Sequence, residues 1–337
     1  MDQTTQRKPT NQTRSRHWIA IGDETGTWDI KNGVFTNNSS PTHYNGVSLV
    51  IGSLDDWQQA LTQTIEGKPA WQHFSTPLAT HLEGVANIQT SDYYHARDVL
   101  QSRSKTTTEV PLERPHDDPA LERLRRDLSW LVTKSGLIVT TVSGNPNLPE
   151  LKASGFGLSG DGLTERARAY MALLTPLLPF LPPDVTCYLL LSPRSEASDA
   201  SARSAHQGPD TRTKTGRDKE PFRNFIAHCM EFRSKIRHNL KQAGWTGNLC
   251  AAYIAKPSSL KDPRQLKEKP LANLLTDPSF SLFRNHPNEM VKAIQSLADL
   301  AALLGYPPNG VRFTVADDTP NLRRWHYKDL IDVFAAL

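Results

Sequence analysis

Cysteine is scarce in this 337-residue chain: Cys187, Cys229 and Cys250 stand far apart and are odd in number. That pattern excludes a disulfide framework and a CxxC zinc site. It predicts small apolar side chains packed in a reducing, cytoplasmic setting. No apolar run approaches the ~18 residues of a spanning helix, so no membrane partner is expected. The opening MDQTTQRKPTNQTRSR lacks the apolar core of a secretory signal. There is no P-loop, no GxGxxG, no GxSxG and, among eleven histidines, no HExxH spacing. These absences speak against a phosphate cradle, a hydrolase elbow and a zinc enzyme. The glycine-rich stretch Gly155–Gly162 also lacks the Lys-Ser/Thr of a phosphate-binding loop. A strong charge of one sign is missing too: the formal charge of +4 permits a polyanionic partner without demanding one.

What is present reads as an α/β chain. Residues 1–16 form a basic tail, with Arg7, Lys8, Arg14 and Arg16 against Asp2, predicted to be disordered. A single domain is expected over 17–337. Strands are predicted at Trp18–Gly22, around Val34-Phe35 after an Asn32-Gly33 turn, and at Gly46–Gly52. A helix capped by Ser53 should cover about 53–66, with Asp55 and Asp56 in its first turn. Leu121, Leu124, Leu128 and Leu131 mark a helix over Pro119–Ser135, before a buried strand at 137–142. A helix over Thr164–Leu181, kinked near Pro176, precedes a strand at Val185–Leu191. Residues 192–221 hold no large apolar side chain and read as a flexible, disordered insertion. A helix over Pro221–Ala243, a strand at Leu249–Ala255, a helix over Glu289–Leu304, a last strand at Val311–Val315 and a helix from Arg323 to the C-terminus complete the pattern. Early antiparallel strands followed by alternating helices and strands predict one mixed sheet with helices on both faces.

The candidate chemistry lies in HWIAIGDETGTWD, residues 17–29. An apolar strand runs into Asp23 and Glu24 and then turns at Gly26. The carboxyl edge of an α/β sheet is the usual place for a ligand. Neighbouring side chains on a strand point to opposite faces, so one of the two acids should serve a given side. The dipeptide by itself also fits the start of a solvated hairpin.

Three stretches together resemble the DUF3800 family. Strand followed by Asp23-Glu24-Thr25-Gly26 is similar to that family's opening DESG. Asp92-Tyr93-Tyr94-His95-Ala96-Arg97-Asp98 resembles its mid-chain histidine segment. Thr319–Leu322 with Lys328-Asp329-Leu330-Ile331-Asp332 resembles its closing segment, in which a strand is followed by a helix containing Ala-Asp-Leu. The resemblance implies a ribonuclease H-like fold and a metal-dependent phosphodiesterase acting on RNA or DNA. Such enzymes hold Mg²⁺ or Mn²⁺ between carboxylates from distant parts of the chain. It assigns Asp23, Glu24 and Asp329 as metal ligands, Asp332 as an alternative one turn on, and His95 as an assisting catalytic group with Asp98 orienting it; a structural histidine is the other reading of His95. Two departures stand out. Ser192 occupies the end of the middle strand where the family has an acid, with Asp161, Glu165, Asp317 and Asp318 as substitutes from loops nearby. Lys328-Asp329 also replaces Ala-Asp. The departures favour the alternative of a catalytically inactive module that binds nucleic acid or a partner protein.

Residues 203–241 hold ten Lys/Arg and four Asp/Glu. Arg223, Arg237 and Lys241 fall on one flank of the helix there. They are candidate contacts to a nucleic-acid backbone, a solvated helix face being the other reading.

Overall fold

The computed structural model describes residues 16–25, 28, 30–35, 45–75, 119–158, 162–191, 220–242, 244–253, 281–305 and 322–337. Among them a six-stranded mixed sheet is built from β1 (His17–Thr25), β4 (Asn45–Ser53), β7 (Ile138–Gly144), β8 (Thr186–Leu191), β9 (Asn248–Tyr253) and β10 (Leu322–His326). The strand order is β10-β7-β4-β1-β8-β9. Only β4 runs against the others: it is antiparallel to β1 and β7, whereas β8 parallels β1, β9 parallels β8 and β10 parallels β7. Five carboxyl ends therefore gather at one edge of the sheet, and β1 ends in the middle of it.

Short hairpins flank this sheet. β2 (Ile30–Lys31) and β3 (Val34–Phe35) pair around Asn32-Gly33, both at positive φ (53° and 71°), the geometry an Asn-Gly hairpin turn needs. β5 (Thr64–Ile65) pairs with β6 (Lys68–Pro69).

Strand alternation divides the core into two layers. On one face Ile19 and Ile21 of β1, Val50 of β4, Val139 of β7, and Tyr188 and Leu190 of β8 pack with α1 (Leu54–Thr62), α2 (Ala70–Ser75), α3 (Pro119–Lys134) and the later helix α8 (Pro287–Gly305). On the other face Ala20, Leu49, Ile51, Val142, Leu189 and Leu191 meet α5 (Gly162–Leu174) and α6 (Glu220–Gln242). The two shorter helices in between are α4 (Pro149–Ala153) and α7 (Ser281–Asn285). The chain ends in a 3₁₀ turn (Tyr327–Leu330) and α9 (Ile331–Ala336), whose Tyr327, Leu330 and Phe334 join the α5 layer.

Local chemistry accounts for the element ends. Ser53 caps α1: its hydroxyl accepts from the Asp56 amide at 3.1 Å, and the Asp56 carboxylate returns a bond to the Ser53 amide at 2.9 Å, a complete capping box. The Trp57 indole donates to the Ile19 carbonyl at 3.1 Å and ties α1 to the central strand. α5 stops at Leu174, two residues short of Pro176, and Leu178–Phe180 follows as a separate 3₁₀ turn. Proline excludes the residue before it from helical geometry, so this region ends rather than kinks.

Two expectations need correction. β1 does not end at Gly22; its pairing with β4 continues through Asp23, Glu24 and Thr25, so both acids lie within a strand. Residues 323–326 are not helical. Trp325 pairs with Val142 and Arg324 with Thr141, because an edge strand beside β7 offers these residues backbone partners and a half-buried surface. The strand expected at Val311–Val315 and the insertion at 192–221 fall outside the described residues, apart from the first two residues of α6.

Gly22 leaves room on β1 for the Tyr170 ring of α5. A Cβ placed there would lie 2.5 Å from the Tyr170 ring and 3.0 Å from Leu49. Gly22→Ala is therefore expected to destabilise the protein by about 1–3 kcal/mol, as overpacked cores do. Urea unfolding checks this; an unchanged midpoint would show that β1 and α5 are not packed so tightly.

Candidate functional site

Asp23 and Glu24 are neighbours in sequence and sit in different layers. Asp23 shares its parity with Ile19 and Ile21 and faces the α8 layer; Glu24 shares its parity with Ala20 and faces α5.

The Glu24 side chain is largely buried and bound on both oxygens. Its Oε1 accepts from Arg166 Nη1 at 2.6 Å, and its Oε2 accepts from the Tyr170 hydroxyl at 2.8 Å. The side chains of Arg166 and Glu24 are 4% and 9% exposed, so this is an interior ion pair. Arg166 and Tyr170 are four residues apart and project from the same face of α5. Burial pushes the Tyr170 phenol well above its ordinary pKa; the charges of Glu24 and then Asp23, and the hydrogen bond to Glu24, push the same way, while Arg166 opposes them. The same stretch of α5 holds a second pair: Glu165, fully buried, meets Arg168 at 3.3 Å. Arg168 also donates to the Gly155 carbonyl at 3.0 Å. Thr164 Oγ1 lies 3.0 Å from His228 Nε2 and joins α5 to α6.

Asp23 is buried at 5% exposure, and its Oδ1 accepts from the Glu24 amide at 2.8 Å. The register runs Asp23–Ser48–Thr141–Arg324 across β1, β4, β7 and β10. Directly opposed residues in adjacent strands share a face with Cβ atoms about 5 Å apart. Ser48 and Thr141 are buried as well, so a polar row crosses the floor of the α8 layer at its carboxyl edge. One level further in, the row reads Ile21–Val50–Val139–Leu322 and is wholly apolar. Buried polar groups are costly unless they are paired, and this row sets the carboxyl edge of the layer apart from its apolar interior.

α8 lies over β1, β4 and β7 in this layer. It is nearly all Ala, Leu, Ile and Met on its buried sides, except for Ser296 and Asp299, three residues apart and both buried. Ala298-Asp299-Leu300 is the Ala-Asp-Leu tripeptide itself. The resemblance points instead to Lys328-Asp329-Leu330, although a carboxylate in the apolar second half of this helix is a signal visible in the sequence.

The structure does not bring Asp329 to Asp23. Asp329 is exposed, its Oδ2 accepts from the His326 amide at 2.8 Å, and it closes the 3₁₀ turn after β10. β10 is three strand positions from β1, roughly 14 Å at the usual spacing. The segment around Asp329 packs in the α5 layer, on the opposite face from Asp23. Asp332 is exposed on α9. Glu165 is occupied by its buried pair. His95, Asp98, Asp161, Ser192, Asp317 and Asp318 lie outside the described residues. Arg237 and Lys241 are exposed on α6; the side chain of Arg223 is not among those described.

The donor chemistry of the Asp23 row fits a hard divalent cation. Asp23, Ser48 and Thr141 offer carboxylate and hydroxyl oxygens, while Arg324 at the far end of the row offers none; Mg²⁺ commonly takes one or two carboxylates and completes its shell with water. Among the described residues no cluster of three Asp, Glu, His or Cys side chains is present. No helix among them is long and apolar enough to cross a membrane. Compared with family models, with curated proteins and with solved structures, the chain finds no match.

Arg166→Ala leaves Glu24 buried without its cation and is expected to cost about 3–5 kcal/mol, whereas Glu24→Leu with Arg166→Met together should cost far less. Urea denaturation of both variants decides this, and equal losses would show that the pair is not the source. Tyr170 also gives a pH signature. Its folded-state pKa lies above the unfolded value of about 10, so its contribution is complete below about pH 10 and is lost as pH rises toward the folded value. Tyr327 is shifted in the same direction by burial. The unfolding midpoint should fall above about pH 10, and less steeply in Tyr170→Phe; identical slopes would rule out the assignment to Tyr170.

Proposed function

We propose that the protein is a divalent-metal-dependent phosphodiesterase acting on RNA or DNA, with Asp23 as the primary metal ligand. One observation carries the reading: Asp23 is a buried carboxylate at the carboxyl edge of the central strand, within a polar row on an otherwise apolar sheet face. The mixed sheet with an early antiparallel pair and helices on both faces is compatible with a ribonuclease H-like fold, and the DUF3800 resemblance rests on the stretches quoted above. The late-helix acid is better assigned to Asp299 than to Asp329. Asp299 carries the Ala-Asp-Leu context, is buried, and belongs to the layer that Asp23 faces.

A bound Mg²⁺ or Mn²⁺ would supply polarisation of the phosphate and a water acidic enough to attack near neutral pH. The chain's own residues have three tasks. Asp23, with Asp299, offers carboxylate oxygens to the cation. Ser48 and Thr141 present hydroxyls beside Asp23 on the floor of the layer. Arg237 and Lys241, on α6 across the sheet from Asp23, supply exposed positive charge for a phosphate backbone that extends past the sheet edge.

A second reading is a non-catalytic nucleic-acid-binding or protein-binding module. It is favoured by the full engagement of Glu24 with Arg166 and Tyr170, which removes one of the expected ligands.

The test is cleavage of labelled single- and double-stranded RNA and DNA with Mn²⁺ or Mg²⁺. The expected result is metal-dependent cleavage that falls at least about a hundredfold in Asp23→Asn and in Asp299→Asn, and changes little in Asp329→Asn. Retained cleavage in Asp23→Asn would overturn the proposal. Nucleic-acid binding without any Mn²⁺ uptake by calorimetry would select the binding module.

A further inference from the structure

Three observations connect the interior ion pair to the opposite face of the sheet. The Glu24 carboxylate is gripped on both oxygens by α5. The Glu24 amide donates to Asp23 Oδ1 at 2.8 Å. The Tyr170 ring packs so closely on Gly22 of β1 that no Cβ fits there. A backbone unit held from below thus holds the carboxylate above it. β4 pairs with β1 through Thr25, and the grip adds to that pairing a restraint on the Glu24 peptide and through it on the rotamer of the Asp23 carboxylate.

We propose that Glu24, Arg166 and Tyr170 form a positioning network which acts through the β1 backbone to fix the Asp23 carboxylate in the α8 layer. The network itself touches no substrate or cation. Its link to activity rests on the metal-site reading above, but its effect on Asp23 does not. Glu24 in this assignment is a positioning residue and not a metal ligand. The design resembles the outer-shell support that orients metal ligands elsewhere, where losing one partner weakens metal binding by about ten- to a hundredfold.

Tyr170→Phe removes a single hydroxyl from the network and Glu24→Gln removes its charge. Phe334→Leu, in the same layer but packed against Phe156 and Tyr327, serves as the control for general loosening. Two quantities are read on the full chain: amide hydrogen exchange of Glu24 by NMR without metal, and the Mn²⁺ dissociation constant by calorimetry. Exchange at Glu24 is expected to speed up about tenfold or more in Tyr170→Phe and Glu24→Gln, with Mn²⁺ bound about tenfold more weakly, while Phe334→Leu lowers the melting temperature and leaves both unchanged. Exchange at Glu24 that stays at the wild-type rate in both network variants, or that rises equally in Phe334→Leu, would overturn the proposal. If the wild-type chain takes up no Mn²⁺ while exchange responds as expected, the metal reading fails and the positioning network stands.

Discussion

The two-residue period of a β-strand is the constraint on which the rest of this structure hangs. Because β1 keeps its pairing through Thr25, the adjacent acids cannot serve one site. One enters each layer, and their environments then diverge. Glu24 meets a guanidinium and a phenol from a single helix face; Asp23 meets the Glu24 amide and a line of hydroxyl-bearing strand residues. Two residues of nearly the same chemistry thereby take different roles, set by which side of the backbone each leaves from.

The division also explains why α5 must dock where it does. An interior carboxylate is tolerated only with an opposite charge and filled hydrogen-bonding positions. Arg166 and Tyr170, one turn apart, meet that requirement only in one register against β1, and Gly22 removes the atom that would keep the helix away. The pair adds little net stability over a well-packed apolar equivalent. Its value lies in specifying alignment, because a helix shifted by one residue would leave Glu24 and Arg166 both uncompensated. The Thr164–His228 contact carries the same registration across to α6.

Much of the scaffold was legible in the sequence, for identifiable reasons. β4, β7 and β8 are β-branched or apolar runs bounded by turn residues, and the Asn32-Gly33 turn and the Ser53 cap are side-chain chemistry written within a few residues. α5 and β10 were misread because their limits depend on tertiary context: Pro176 stops a helix that periodicity would extend, and Leu322–His326 becomes a strand only because β7 offers an open edge. The site was half legible. Asp23 and Glu24 stood out as acids at a strand end, and alternation already said that only one would serve a given face. Which one, and what would bind the other, needed the long-range partners Arg166 and Tyr170, 142 and 146 residues away. Asp299, the acid proposed in place of Asp329, carries a signal in the sequence as well: a charge with an Ala-Asp-Leu context inside an apolar helix, whose burial only the fold reveals.

Layering also restricts which acid can join Asp23. Any second ligand must come from an element on the α8 face, because the sheet and its filled α5 layer stand between Asp23 and everything on the other side. Tyr327, Leu330 and Phe334 commit the closing turn and α9 to that other side, and Asp329 spends its carboxylate on the turn's own amide. Among the described acids assigned by resemblance or by burial, Asp299 alone belongs to an element covering the face that Asp23 enters. The proposed two-acid centre would thus join β1 to α8, and the alternation that sends Glu24 into α5 is what leaves the opposite layer to Asp23.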